Sequence, residues 1–148
     1  MIRFREATRA DVAAVVALLS DDALGARREG TELDAYLEAF DRMQGEGANR
    51  LIVGEVAGRI VATYQLTFIS GLSLRASRRA QVESVRVASD RRGQGLGAAM
   101  LADAEARARA AGCRLLQLTM NATRTDAGRF YERLGFTASH IGYKRDLS

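Results

Sequence analysis

The stretch Val82–Leu101, VESVRVASDRRGQGLGAAML, constrains the fold more tightly than any other part of the chain. Val82, Val85 and Val87 mark an apolar strand, Arg91 to Gly97 a basic loop rich in glycine, and the alanine-rich run from Leu96 the first turns of a helix. A strand that passes through such a loop into a helix leaves several backbone N–H groups unpaired where the helix dipole is positive. That arrangement suits an anion, a phosphate above all. Gly93, Gly95 and Gly97 let the backbone come close and adopt positive φ, while Arg91 and Arg92 add charge beside it. Taken alone, the same residues also fit a basic turn between a strand and a helix.

The rest of the chain gives this stretch its surroundings. Ile2 to Glu6 reads as a strand, and Thr8 followed by Asp11 has capping-box spacing ahead of an apolar stripe at Val12, Val15, Val16 and Leu19. Behind Thr31, Leu33, Tyr36, Leu37 and Phe40 repeat the helical spacing. From Leu51 the period falls to two. Leu51 to Val56 and Arg59 to Ile69 are strands joined by a turn at Ala57-Gly58, with Ile60, Ala62, Tyr64, Leu66 and Phe68 on one face of the second. Gly71 to Arg79 is a loop, the helix from Leu96 runs to Ala111 with Gly112 as its stop, and Arg114 to Met120 is a strand. Ala127, Phe130, Tyr131 and Leu134 lie on a short helix ended by Gly135, and Phe136 to Arg145 is a last strand. The order β-α-α-β-β-β-α-β-α-β describes an α/β (α+β) chain, a mixed sheet with helices on both faces.

Residues 1–148 are expected to form one domain, since that length buries roughly 70% of the unfolded surface around a single core. No apolar run approaches the ~20 residues of a membrane helix, and MIRFREATRAD lacks the apolar core of a signal peptide, so no membrane partner and a cytoplasmic location are expected. Cys113 is the single cysteine and His140 the single histidine, which excludes an intramolecular disulfide and a Cys/His zinc cluster, and no metal is expected. The net charge of +4 is as compatible with a polyanionic cofactor as with nucleic acid. Arg75, Arg78 and Arg79 form the densest basic cluster, but no aromatic residue interleaves with these three, and no nucleic-acid partner is expected.

Three phosphate-binding patterns compete for RRGQGLGAA. A P-loop needs Gly-Lys-Ser/Thr, and this loop has no lysine. Gly93, Gly95 and Ala98 fit a dinucleotide fingerprint, but the acid expected ~20 residues on is missing from the next strand, LLQLTMN. The third pattern, Arg/Gln-x-x-Gly-x-Gly/Ala, is matched by Arg92, Gly95 and Gly97. Together with FYERLGF at Phe130 to Phe136, it resembles the GCN5-related N-acetyltransferase (GNAT) family over nearly the whole chain.

That resemblance implies a mixed, mostly antiparallel sheet of six to seven strands flanked by four helices, with acetyl-coenzyme A as cofactor. Carried onto this sequence, the backbone of Val85 and Val87 pairs with the pantetheine arm. The amides of Arg92, Gly93, Gln94, Gly95, Leu96, Gly97 and Ala98 hold the pyrophosphate. Tyr131 corresponds to the tyrosine that protonates the coenzyme A sulfur; a phenol with pKa near ~10 is a sound donor to a thiolate whose conjugate acid lies near ~8.5. Relatives often place an asparagine seven residues before that tyrosine, where this chain has Arg124, and Asn121 is the candidate replacement. Glu83, expected on the same strand face as Val85 and Val87, is the candidate base for the amine, directly or through a water; relatives often carry their acid at the position of Gln81. Asp21, Asp22, Glu29, Tyr36 and Tyr64 are candidates for acceptor recognition, and solvated charges or core aromatics explain them equally well. His140 reads as a packed or surface histidine or an accessory proton carrier. The run RTDAGRFYERLGF and the ending SHIGYKRDL look like a branch that acetylates small amines such as aminoalkylphosphonates. The implied activity is acetyl transfer to a primary amine by direct attack in a ternary complex, in a protein that homodimerises in many relatives. The alternatives are acetylation of proteins or peptides, and a non-catalytic coenzyme A-binding module.

Overall fold

The fall of the hydrophobic period to two near Leu51 coincides with a change of element, from helix to strand. In a computed structural model, which describes residues 1–21 and 32–148, β1 (Arg3–Glu6) leads through a 3₁₀ turn at Arg9–Asp11 into α1 (Val12–Leu19). Then come α2 (Leu33–Gly45), β2 (Asn49–Val56), β3 (Arg59–Ile69) and β4 (Arg79–Val87). A 3₁₀ turn at Ser89–Arg91 precedes α3 (Leu96–Ala110), and β5 (Leu115–Leu118) and α4 (Thr125–Arg133) follow. Thr31, read as the lead-in to α2, lies outside the described residues. The chain divides into two compact units, Met1–Gln117 and Leu118–Ser148.

In the first unit the strands line up in the order β1-β2-β3-β4-β5, with the first three pairings antiparallel. The β2–β3 turn places both Ala57 (φ 48°) and Gly58 (φ 79°) in the left-handed region, which lets a two-residue turn follow the strand twist. Val12, Val15 and Phe40 of the first two helices cluster with Val53 of β2 on one face of the sheet. α3 covers the other, burying Met100, Leu101, Ala104 and Ala108. There the Tyr64 hydroxyl donates to Asp103 Oδ2 (2.6 Å), and Arg107 Nε binds the same oxygen (2.8 Å) while Nη2 reaches the Phe4 carbonyl (3.3 Å). One helix is thus tied to β3 and β1. Gly54 sits opposite Phe4 where β1 pairs with β2, and a Cβ there would stand 2.7 Å from Ile2 Cδ1 and 2.8 Å from Phe4 Cε1, so these side chains would have to shift to admit one.

The entry to α1 uses the residues that the spacing singled out. Asp11 Oδ2 accepts the Thr8 N–H (2.8 Å) and hydroxyl (3.1 Å), and Arg5 Nη1 binds the same oxygen at 2.7 Å. Arg5 also reaches Glu55 (2.8 Å), so the cap is fastened to two strands. Foremost through the Arg5 hydrogen bond, the Asp11 carboxyl is pulled down to about 2.

In the second unit α4 ends in a Schellman motif. The Phe136 N–H donates to the Tyr131 carbonyl (3.0 Å) and the Gly135 N–H to that of Glu132 (3.0 Å), with Gly135 at φ 92°. FYERLGF is therefore a helix terminus spelled out in sequence. The expected last strand, Phe136 to Arg145, does not form: residues 136–148 carry no strand, and Thr137 to Ser148 are exposed. Alternating side chains define a strand only where a neighbouring edge completes the ladder, and among the described residues this stretch pairs with none. The sheet accordingly has five strands rather than six to seven, with four helices of more than one turn among the described residues.

Candidate active site

The loop between β4 and α3 is shaped by side chains that hold its backbone. Asp21, two residues past α1, accepts the Ser89 N–H on Oδ2 (3.2 Å), and its carbonyl accepts from Arg92 Nη2 (3.4 Å). Arg92 Nε donates to the Val87 carbonyl (3.3 Å), and Asp90 takes both guanidinium nitrogens of Arg59 at 2.7 and 3.0 Å. Gly93 (φ 75°) and Gly95 (φ 77°) turn the chain left-handed, and a Cβ on either would meet nothing within 4 Å. The glycines are there for conformation and for open space. The first bond into α3 runs from the Ala99 N–H to the Gly95 carbonyl (3.1 Å), so the N–H groups of Leu96, Gly97 and Ala98 project from the helix end toward that space. Donors, dipole and room together fit a diphosphate. The Arg92 guanidinium is spent on holding the loop, which leaves its backbone as the part that can face an anion.

On β4 the register contains a feature that strict alternation conceals. Gln65 pairs with Glu83 and Thr63 with Arg86, so Tyr64 alone spans Ser84 and Val85. This is a β-bulge, and Ser84 sits at φ 54°, a left-handed value that costs a non-glycine residue about 1–2 kcal/mol. The bulge shifts the phase of the strand. Glu83, opposite Gln65, faces the side of α1 and α2, whereas Val87, opposite Ala62, faces α3. The expectation that Glu83 and Val87 share a face is therefore corrected. Its signal was in the sequence: the apolar residues fall at 82, 85 and 87, an odd step followed by an even one.

Glu83 is exposed, and Gln81 on the same face accepts a hydrogen bond from Gln117 Nε2 (2.6 Å). The carbonyls of Val85 and Val87 accept from Arg86 Nη1 (3.0 Å) and Arg92 Nε (3.3 Å). Beside the bulge, a cavity of about 110 Å³ opens between α1, α2 and the sheet, bordered by Val16, Leu19, Tyr36 and Met43 with Thr63 and Ser84 at its floor. Neither the cavity nor the Asp21 anchor was anticipated from sequence, because both depend on which elements meet. Tyr36 lines this cavity, but Tyr64 is 1% exposed, and burial followed by the Asp103 hydrogen bond holds its phenol far above its usual range. It is a core residue, and not part of an acceptor site. Asp22 and Glu29 lie outside the described residues.

In the second unit Tyr131 is half-buried, with Phe130 and Phe136 packed edge-on at ring distances of 5.2 and 5.8 Å. The Schellman turn that places Phe136 also fixes this stack. Asn121 Oδ1 accepts from the Thr123 N–H (3.0 Å) and hydroxyl (2.6 Å), closing a turn. His140 is exposed, its Nδ1 2.7 Å from Ser139 Oγ. In the first unit, burial raises the Cys113 thiol against the opposing pull of Arg78. Among the described residues no cluster of three or more His, Cys, Asp or Glu could hold a metal ion, and no helix is long and apolar enough to cross a membrane.

The model of the acetyltransferase (GNAT) family matches residues 13–136. The chain belongs to the GNAT family. It is an acetyltransferase, and its sheet and helices follow the GNAT fold. A Bacillus halodurans C-125 structure described as a transcriptional regulator is 42% identical, with a TM-score of 0.95 over 99% of this chain and 100% of that one. A predicted acetyltransferase with acetyl-CoA from Clostridium acetobutylicum has a TM-score of 0.76 at 16% identity, covering 99% of this chain and 97% of that one, a likeness of fold. The aminoalkylphosphonate N-acetyltransferase of Salmonella typhimurium is 40% identical over 67 residues, 45% of this chain and 44% of the relative. The match thus spans under half the length of that curated relative.

Proposed function

We propose that this GNAT chain transfers the acetyl group of acetyl-coenzyme A to a small-molecule primary amine by direct attack in a ternary complex. The observation that carries the reading is the preformed anion cradle at Gly93 to Ala98, where donors project from the α3 N-terminus into open space. When bound, acetyl-coenzyme A supplies a thioester that accepts the amine at its acyl carbon and releases a thiolate. In this reading the amides from Arg92 to Ala98 bind its diphosphate, and the backbone of Val85 and Val87 aligns its pantetheine arm. Asn121 offers its side-chain amide to the same arm. Glu83 takes one proton from the attacking amine, directly or through a water, as the C–N bond forms and the C–S bond breaks. Tyr131 gives one proton to the departing sulfur, and both residues return to their starting states by exchange with solvent. Burial keeps the Cys113 thiol protonated, which supports direct attack over an acetyl-cysteine route. The name of the Salmonella relative supports a small amine as acceptor.

A thiol-release assay with acetyl-coenzyme A, run against a panel of small primary amines and a panel of peptides with free N-termini and lysines, tests the proposal. Turnover with small amines is expected. Activity confined to peptides would replace the acceptor, and tight cofactor binding without turnover on either panel would make the protein a coenzyme A-binding module.

A further inference from the structure

The cavity beside the β4 bulge is lined mostly by apolar side chains. Its walls come from the apolar stripes of α1 and α2, and neither an arginine nor a lysine lines it among the described residues. Its polar lining is largely committed elsewhere: the Thr63 hydroxyl donates to the Ile52 carbonyl (2.9 Å), and Gln65 Nε2 donates to Asn49 Oδ1 (2.9 Å). Among the described lining residues a group that enters therefore finds few uncommitted polar partners and no cation, so a polar arm would be desolvated with little return, with Arg86 standing across the ladder from the lining Thr63. At the edge of the same space stands Glu83, directly across the ladder from the lining residue Gln65. An apolar recess thus adjoins the Glu83 carboxylate and, opposite Thr63, Arg86 on one face of the sheet. Ser84, held at φ 54° where the recess meets the strand, is a strained residue of the kind that persists where a site needs its shape.

We infer that this recess seats the hydrocarbon arm of the acceptor, making the acetylated amine one with a compact apolar group. At about 110 Å³ the space equals roughly four volumes of the ~30 Å³ that a water molecule occupies, which matches a branched chain of about four carbons. The inference rests on the proposed acetyl transfer and adds the acceptor's class to it. It separates this chain from its Salmonella relative, whose name specifies an anionic phosphonate acceptor.

Ethylamine, propylamine, isobutylamine, isoamylamine and 2-aminoethylphosphonate serve as probes, compared by kcat/KM with acetyl-coenzyme A and by the shift each gives to the melting temperature. Each added methylene that enters the recess is expected to raise kcat/KM about fourfold up to isoamylamine. Ala39→Leu, which fills the recess from α2, is expected to lower the isoamylamine-to-ethylamine ratio at least tenfold and to abolish the thermal shift by isoamylamine. A flat dependence on chain length, a preference for 2-aminoethylphosphonate, or an unchanged ratio in a more stable Ala39→Leu protein would overturn the inference and mark the recess as a packing gap. If no amine is acetylated, the transfer reading fails. A shift by isoamylamine that Ala39→Leu removes would then still uphold the recess as an amine site, and its absence would overturn that too.

Discussion

Tyr131 and Glu83 became visible in different ways. Tyr131 could be located because FYERLGF spells a helix end: Gly135 supplies the left-handed turn, and the Phe136 ring returns to pack on the tyrosine. Glu83 could be named but not oriented, because one extra residue at Ser84 reverses the faces beyond it. A bulge is fixed by the partner strand's register, which a single strand's pattern does not contain, and only the odd spacing of Val82, Val85 and Val87 hinted at it. In the proposed mechanism Tyr131→Phe removes the proton donor and is expected to lower kcat by about 10²-fold or more while the KM for acetyl-coenzyme A stays nearly constant. Steady-state kinetics check this, and an unchanged kcat would remove the phenol from the mechanism. Packing supplies the contrast: the ring stack survives the substitution, so the loss belongs to the hydroxyl.

Local chemistry decided most elements, and those were legible. Ala57-Gly58 makes its hairpin, Gly112 ends α3 and Thr8 with Asp11 opens the first helical segment, each through groups close together in sequence. The stretch from Phe136 to Arg145 was misread because its fate depends on a distant edge. At the loop, Gly95→Ala would hold an alanine at φ 77° for about 1–2 kcal/mol. Relaxation of that strain would misplace the amides, and roughly tenfold weaker acetyl-coenzyme A binding is expected by calorimetry, with the helical signal of the protein retained. The α1 entry gives a pH test. The Asp11 carboxyl, lowered in the folded state, contributes full stability above its unfolded value and loses it as pH falls from about 4 to about 2. Asp11→Asn is expected to cost about 1 kcal/mol at neutral pH and much less near pH 2, as measured by urea midpoints.

Across the whole molecule, GNAT membership settles the architecture and the reaction type, and the acceptor remains a matter of particular side chains. The excess of basic residues, +4 overall, suits a chain that gathers a polyanionic coenzyme. The loop proposed to hold the phosphates was readable because its glycines, its strand and its helix are contiguous. The recess by Ser84 was not, because it exists only where α1, α2 and the sheet come together. Direct attack, as proposed, requires both substrates to be bound at once, and the upward push of burial on the Cys113 thiol favours it over a covalent detour. Initial rates of thiol release, measured at several fixed amine concentrations across a range of acetyl-coenzyme A, test that claim most directly. Double-reciprocal lines that intersect are predicted; parallel lines, the mark of an acetyl-enzyme intermediate, would contradict it.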